Sequence, residues 1–153
     1  HLAQQPDEIE LALWFHDAVY ATRSKQNERK SAAWAMDFVA RNGVDPRRVQ
    51  SVHDLVMATR HDVPVDHPDG TLMVDVDLSI LGADEKTFER FERNVRKEYW
   101  WVPAKLFRRT RVAILQSFLD RASVYGTDHF RRESEPNARK KLAAAIATLS
   151  KPA

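Results

Sequence analysis

An all-α fold of about seven helices is predicted by three observations on this chain of 153 residues. Apolar residues recur at three- and four-residue spacing along most of its length, and strict alternation is nearly absent. Turn signals such as Asn42-Gly43, the Pro-rich stretch 62–71, Gly82 and Pro103 fall between the periodic runs. Only four glycines occur, none in a GxGxxG or GxxxxGK[ST] pattern, which argues against a Rossmann or P-loop nucleotide site.

The length suits a single domain, residues 1–153, able to bury roughly 68–70% of its unfolded surface without a staple. Hydrophobic residues at 43% and charged residues at 30% describe a globular chain, not a disordered one. With no Cys, a disulfide scaffold, a Cys-ligated zinc, an iron–sulfur centre and a cysteine nucleophile are excluded. No apolar run approaches the ~20 residues of a membrane span, so no membrane partner is expected. The absence of Cys and of an export pattern points to the cytoplasm. A net charge of +2, with bases and acids interleaved, disfavours nucleic acid as a partner.

The elements follow in order. Residues 7–20, DEIELALWFHDAVY, begin with acids suited to a helix N-terminus and become apolar all round, as a central helix would. Residues 28–41 form a second helix, ended by Asn42-Gly43. DPRRVQSVHDLVMATRH reads as a third, with Asp45 as N-cap and Pro46 at the first helical position. Residues 62–71 are a loop, and residues 72–82 a short buried helix ending at Gly82. ADEKTFERFERNVRKEY places Phe88, Phe91, Val95 and Tyr99 on one face, with Asp84 as N-cap. AKLFRRTRVAILQSFLDRA is the sixth helix. SEPNARKKLAAAIATL is the seventh, with Ser134 as N-cap. If exposed, Trp100, Trp101 and Phe107 would form a patch suited to a homodimer.

Chemistry is suggested where ionisable groups interrupt apolar runs. His16 and Asp17 stand in the most hydrophobic helix, after Leu11, Leu13, Trp14 and Phe15. A carboxylate buried there without a partner costs several kcal/mol, so something must neutralise it, and a bound cation is one solution. The ordinary alternative is a helix-end His beside an Asp paired with Arg; His53-Asp54 and His61-Asp62 repeat the same dipeptide. Asp75 and Asp77 lie in a second apolar run, either capping backbone amides or supplying a carboxylate ligand. Glu28 opens the second helix, serving either the helix dipole or as a general base. His61 closes the third, where it can favour the helix C-terminus, neighbour a metal or donate to a phosphate.

The segments ALWFHDAVY, NERKSA, MATRH, DVDLSILG, VRKEY, RVAILQSFLDRASVY and EPNARKKL together resemble the HD superfamily of metal-dependent phosphohydrolases. Within it, they are similar to the small bacterial group of predicted HD-superfamily phosphohydrolases. The likeness extends over nearly the whole chain, in the right order. It implies an HD-type helical bundle with one divalent ion bound by two His and two Asp. His16 and Asp17 match the HD pair, and Asp77 the late Asp, with Asp75 the competing register. His1, followed by Leu2, matches the end of the family's early His element and would be the first ligand. Only 14 residues separate His1 from His16, and Pro6 interrupts them, so upstream residues of the first helix are expected to be missing.

Such a donor set suits Mn²⁺, Fe²⁺, Co²⁺, Ni²⁺ or Mg²⁺, with Zn²⁺ also admitted. The resemblance further implies hydrolysis of a nucleotide or another small phosphoester by metal-activated water. Glu28 would orient or deprotonate that water, and His61 would serve the phosphate. Arg96, Tyr99 and Arg111, in matched segments, would hold the anionic substrate. For each Arg the ordinary alternative is an ion pair with one of the many Glu. The competing reading is a non-catalytic HD-type module that binds metal and a phosphate ligand as a sensor.

Overall fold

In the computed structural model, residues 2–61 and 65–151 are described. Among them the chain is all-α, with no strand. The helices are α1 (Pro6–Phe15), α2 (Asn27–Arg41), α3 (Pro46–Ala58), α4 (Pro68–Asp77), a 3₁₀ segment (Leu78–Gly82), α5 (Glu85–Glu98), α6 (Ala104–Leu119), α7 (Asp128–Glu133) and α8 (Glu135–Leu149). They form two units, residues 1–77 and 78–153. No described helix is long and apolar enough to cross a membrane.

In the first unit α3 packs against α1, α2 and α4. Its start follows from local chemistry: Pro46 has the φ a first helical residue needs, and the Asp45 carboxylate accepts from the Arg47 amide at 2.8 Å. Val49, Val52, Leu55 and Val56 form its buried face. Ile9 and Ala12 of α1, Ala32, Ala35 and Val39 of α2, and Leu72 and Met73 of α4 complete the core. α2 ends where Gly43 adopts φ +71, a conformation open to glycine without strain. Leu55 is wholly buried, so Leu55→Ala should cost about 2–5 kcal/mol, read as a fall in the urea midpoint.

α1 departs from the expected 7–20 helix. It stops at Phe15, because the next stretch is captured by the start of α2. The Val19 amide donates to Ser31 Oγ at 3.0 Å, and Ala21 exchanges two hydrogen bonds with the Asn27 side chain. Nor is α1 buried all round. Its buried residues are Glu8, Ile9 and Ala12, while Trp14 is 77% exposed. At 100° per residue those three share one face and Trp14 lies off it. Glu8 is compensated by Arg48, whose Nε donates to it at 2.8 Å. α4 begins earlier than expected, at Pro68, inside the stretch read as loop; Asp62, Val63 and Pro64 of that stretch lie outside the described residues.

In the second unit α8 packs against α6, α7 and the 3₁₀ segment, which also meets α5. Leu78, Leu81, Phe88, Leu115, Val124, Tyr125, Ala138 and Leu142 are buried. Asp84 caps α5 by accepting from the Thr87 amide at 3.1 Å, as expected. Gly82 ends the 3₁₀ segment where a Cβ would stand 2.8 Å from Ser134 Cβ and 2.9 Å from the Tyr125 hydroxyl. The buried Lys141 ammonium donates to Ala83 O, and Asn137 Nδ2 donates to Gly82 O at 2.9 Å. Those contacts satisfy carbonyls left over at the segment's end. Arg139 does the same after α6, donating to Leu119, Arg121 and Ala122 carbonyls.

α7 was not anticipated, since six residues are too short to show a period. Ser134, expected to cap α8, makes no side-chain cap; its amide closes α7 on Phe130 O at 2.8 Å instead. Trp100 is 77% and Trp101 39% exposed, while Phe107 is half-buried.

Candidate functional site

In the first unit, side chains from three stretches of sequence meet at Asp77, the last residue of α4. His16 Nε2 stands 3.4 Å from Asp77 Oδ1 and 3.4 Å from Asp17 Oδ2. His61 Nε2 donates to Asp77 Oδ2 at 2.9 Å. His16 is the C-cap of α1, so the HD pair lies at a helix end and not within a helix. Asp17 is correspondingly 64% exposed, not buried as the apolar sequence around it suggested.

The orientation of His16 is fixed from behind. Its Nδ1 lies 2.8 Å from Leu13 O, and a carbonyl can only accept, so Nδ1 carries a proton and donates. Nε2 is thereby turned toward the two carboxylates. Metal-bound histidines are held in the same way, by a carbonyl or carboxylate on the far nitrogen. His61 reaches Asp77 by a different device. α3 ends at Ala58, and His61 adopts φ +59 beyond the turn. That left-handed backbone costs a non-glycine residue on the order of 1 kcal/mol or more. His is among the residues that occupy it most readily.

The electrostatics favour positive charge at this point. His16 is raised to about 9, chiefly by its hydrogen bond to Asp77; burial opposes this, and the Leu13 carbonyl and the charges of Asp17 and Asp77 add to it. Asp77 is lowered to about 2. Burial pushes its carboxyl up, but the bonds from His16 and His61 and their charges outweigh burial.

Two imidazoles and two carboxylates are a mixed N/O donor set of the kind borderline and hard divalent ions take. The set suits such an ion in chemistry and in the aim of His16. Among the described residues, however, no three His, Asp or Glu are spread around a shared vacant point. The donors close on one another through hydrogen bonds, and a cation would take the place of those protons.

The remaining expected site residues are placed as follows. Asp75 is wholly buried, and two residues along a helix turn its side chain by about 200° from that of Asp77. Glu28 is half-buried in the first turn of α2, with no hydrogen bond or ion pair to the cluster. His1 lies outside the described residues. Arg96, Tyr99 and Arg111 belong to the second unit, where both guanidiniums have protein acceptors. Arg96 donates to Tyr99 O at 2.8 Å and Val102 O at 3.2 Å, stacked 4.8 Å over Phe107. Arg111 pairs with Glu92, the ion pair that was its ordinary alternative, and both are largely buried. Tyr99 lies beside Trp101, their ring centres 6.3 Å apart.

His61 was anticipated as a phosphate or metal neighbour, and the geometry puts it directly on Asp77. The sequence signal for that contact is a His just past a helix end, where a left-handed residue can reverse the chain. Comparison of the chain with family models, with curated proteins and with solved structures finds no match.

Proposed function

We propose that the protein is a metal-dependent phosphohydrolase of the HD type, acting on a nucleotide or another small phosphoester. One observation carries the reading: His16 and His61 converge on Asp77 within 2.9–3.4 Å, beside Asp17, from positions 16, 61 and 77 of the sequence. A single divalent ion, Mn²⁺, Fe²⁺, Co²⁺, Ni²⁺, Mg²⁺ or Zn²⁺, would be held by His16, Asp17, Asp77 and His61, with His1 a further donor. When bound, the ion lowers the pKa of a water and polarises the phosphoryl oxygen.

The chain's own residues do the rest. Leu13 O keeps His16 Nε2 aimed at the carboxylates. Asp77 ties the end of α4 to both imidazoles and stays ionised in the cluster. Glu28, in the first turn of α2, would take up the proton of the attacking water. Absence of Cys is in keeping with a reducing, cytoplasmic setting, which is part of this proposal.

The expected result is phosphate release from one or more phosphoesters in a broad panel with Mn²⁺ or Co²⁺. Asp17→Ala, at a position 64% exposed, should reduce that release at least about tenfold with the helical circular dichroism spectrum unchanged. The protein acceptors of Arg96 and Arg111 favour the non-catalytic sensor as the second reading, because they leave neither guanidinium dedicated to a substrate. Bound metal with no turnover across the panel would establish that second reading.

A further inference from the structure

The net charge of +2 conceals a division along the chain. Residues 1–77 hold 8 Lys and Arg against 13 Asp and Glu, a net −5; residues 78–153 hold 16 against 9, a net +7. Within the second unit many cations already have partners. Arg93, Arg111, Arg131 and Arg139 pair with Glu89, Glu92, Asp128 and Glu135. Arg96 and Lys141 donate to backbone carbonyls.

Lys105, Arg108, Arg109 and Lys151 differ. They line one groove of about 740 Å³ between the start of α6 and the end of α8. Among the described residues no carboxylate lies within ion-pair distance of any of them, and no acid lines the groove. Arg108 is held by one long bond, from Nη1 to Lys151 O at 3.4 Å. Four like charges gathered with no counter-charge among the described residues repel one another, and an anion spanning them relieves the repulsion.

We propose that this groove binds a linear oligophosphate, independently of the cluster at Asp77. Its floor is aliphatic, from Val112 and Leu149, and no aromatic ring lines it. A nucleobase therefore finds no stacking platform, and recognition falls on the phosphates alone. Inorganic tripolyphosphate and the triphosphate of a nucleotide share that chemistry.

Calorimetric titration of the whole chain with tripolyphosphate, in a metal chelator and at low salt, tests the site. Binding with a Kd below about 1 mM is expected, weakening as salt rises. A nucleoside triphosphate should match tripolyphosphate within about threefold, because the base adds nothing. Lys105→Glu and Arg109→Glu, both on the exposed surface, should each weaken binding about tenfold by turning attraction into repulsion, whereas Arg109→Lys should retain it. Asp77→Asn should leave it unchanged. Absence of binding overturns the proposal, as does binding that survives both charge reversals. Loss in Asp77→Asn would move the phosphate to the Asp77 cluster. Binding of the nucleotide but not of tripolyphosphate, or displacement of tripolyphosphate by a tighter RNA duplex, would also sink it.

Discussion

Asp77→Asn should lower affinity for Mn²⁺ by more than about 100-fold and remove metal-dependent phosphate release, since loss of an outer partner alone costs 10–100-fold. The substitution keeps the shape of the side chain and one acceptor oxygen. It removes the negative charge that both imidazoles face at 2.9 and 3.4 Å. Titration calorimetry reads the affinity, and a normal helical circular dichroism spectrum excludes unfolding as the cause. In the metal-free protein a second readout is independent of activity. His16 is raised to about 9 chiefly by Asp77, so its imidazole shift in NMR should titrate closer to 6.5 in the variant.

The sign of the pH dependence in the metal-free protein follows from the same pair. The raised His16 contributes stability that is fully present below 6.5 and is lost as pH rises through about 9. The depressed Asp77 contributes stability present above 3.8 and lost as pH falls through about 2. The cluster therefore holds the end of α1 to α4 most firmly between those limits. Unchanged affinity for Mn²⁺ in Asp77→Asn would remove the observation on which the phosphohydrolase reading stands.

How much of this was legible in sequence depended on whether the deciding contact was local. Asp45-Pro46 and Asp84 announced α3 and α5 because a cap is made within three residues. The end of α1 was not legible, because Ser31 and Asn27 of another helix end it. Pro68 read as a loop breaker, yet at the first helical position its ring costs nothing and its missing N–H is not needed. For the site, the pairing of His16 with Asp77 followed only from the family pattern, since 61 positions separate them in the sequence. Asp75 and Asp77 stand about 200° apart around α4, a rotation that an apolar run of uniform composition does not mark. Arg96 and Arg111 looked available because their acceptors, two loop carbonyls and Glu92, become neighbours only on folding.

Glu135→Ala is expected to destabilise the protein by about 2–4 kcal/mol at neutral pH. Glu135 opens α8, where a negative charge also complements the helix dipole. Its carboxylate organises the stretch that links α6 to α7. It accepts from Ser123 Oγ at 2.9 Å, the Val124 amide at 3.0 Å, the Tyr125 amide at 3.2 Å and Arg139 Nε at 2.6 Å. Val124 and Tyr125 are 3% and 1% exposed, so water cannot replace the lost acceptor at their amides. Arg139 would also lose the partner that steers it onto the carbonyls closing α6. Glu135→Gln keeps an acceptor and loses only the charge, so a smaller cost, about 1 kcal/mol, is expected. Burial pushes the Glu135 carboxyl up, but the Val124 amide, the Ser123 hydroxyl, Arg139 and the Tyr125 amide outweigh it and hold the carboxyl below its ordinary 4.5. A depressed carboxyl contributes stability that is present above 4.5 and lost as pH falls through its folded value. Urea denaturation at neutral and acid pH should therefore show the gap between the native protein and Glu135→Gln closing in acid. Equal midpoints for Glu135→Ala and the native protein at neutral pH would mean that the 123–125 stretch is held by packing of Val124 and Tyr125 alone.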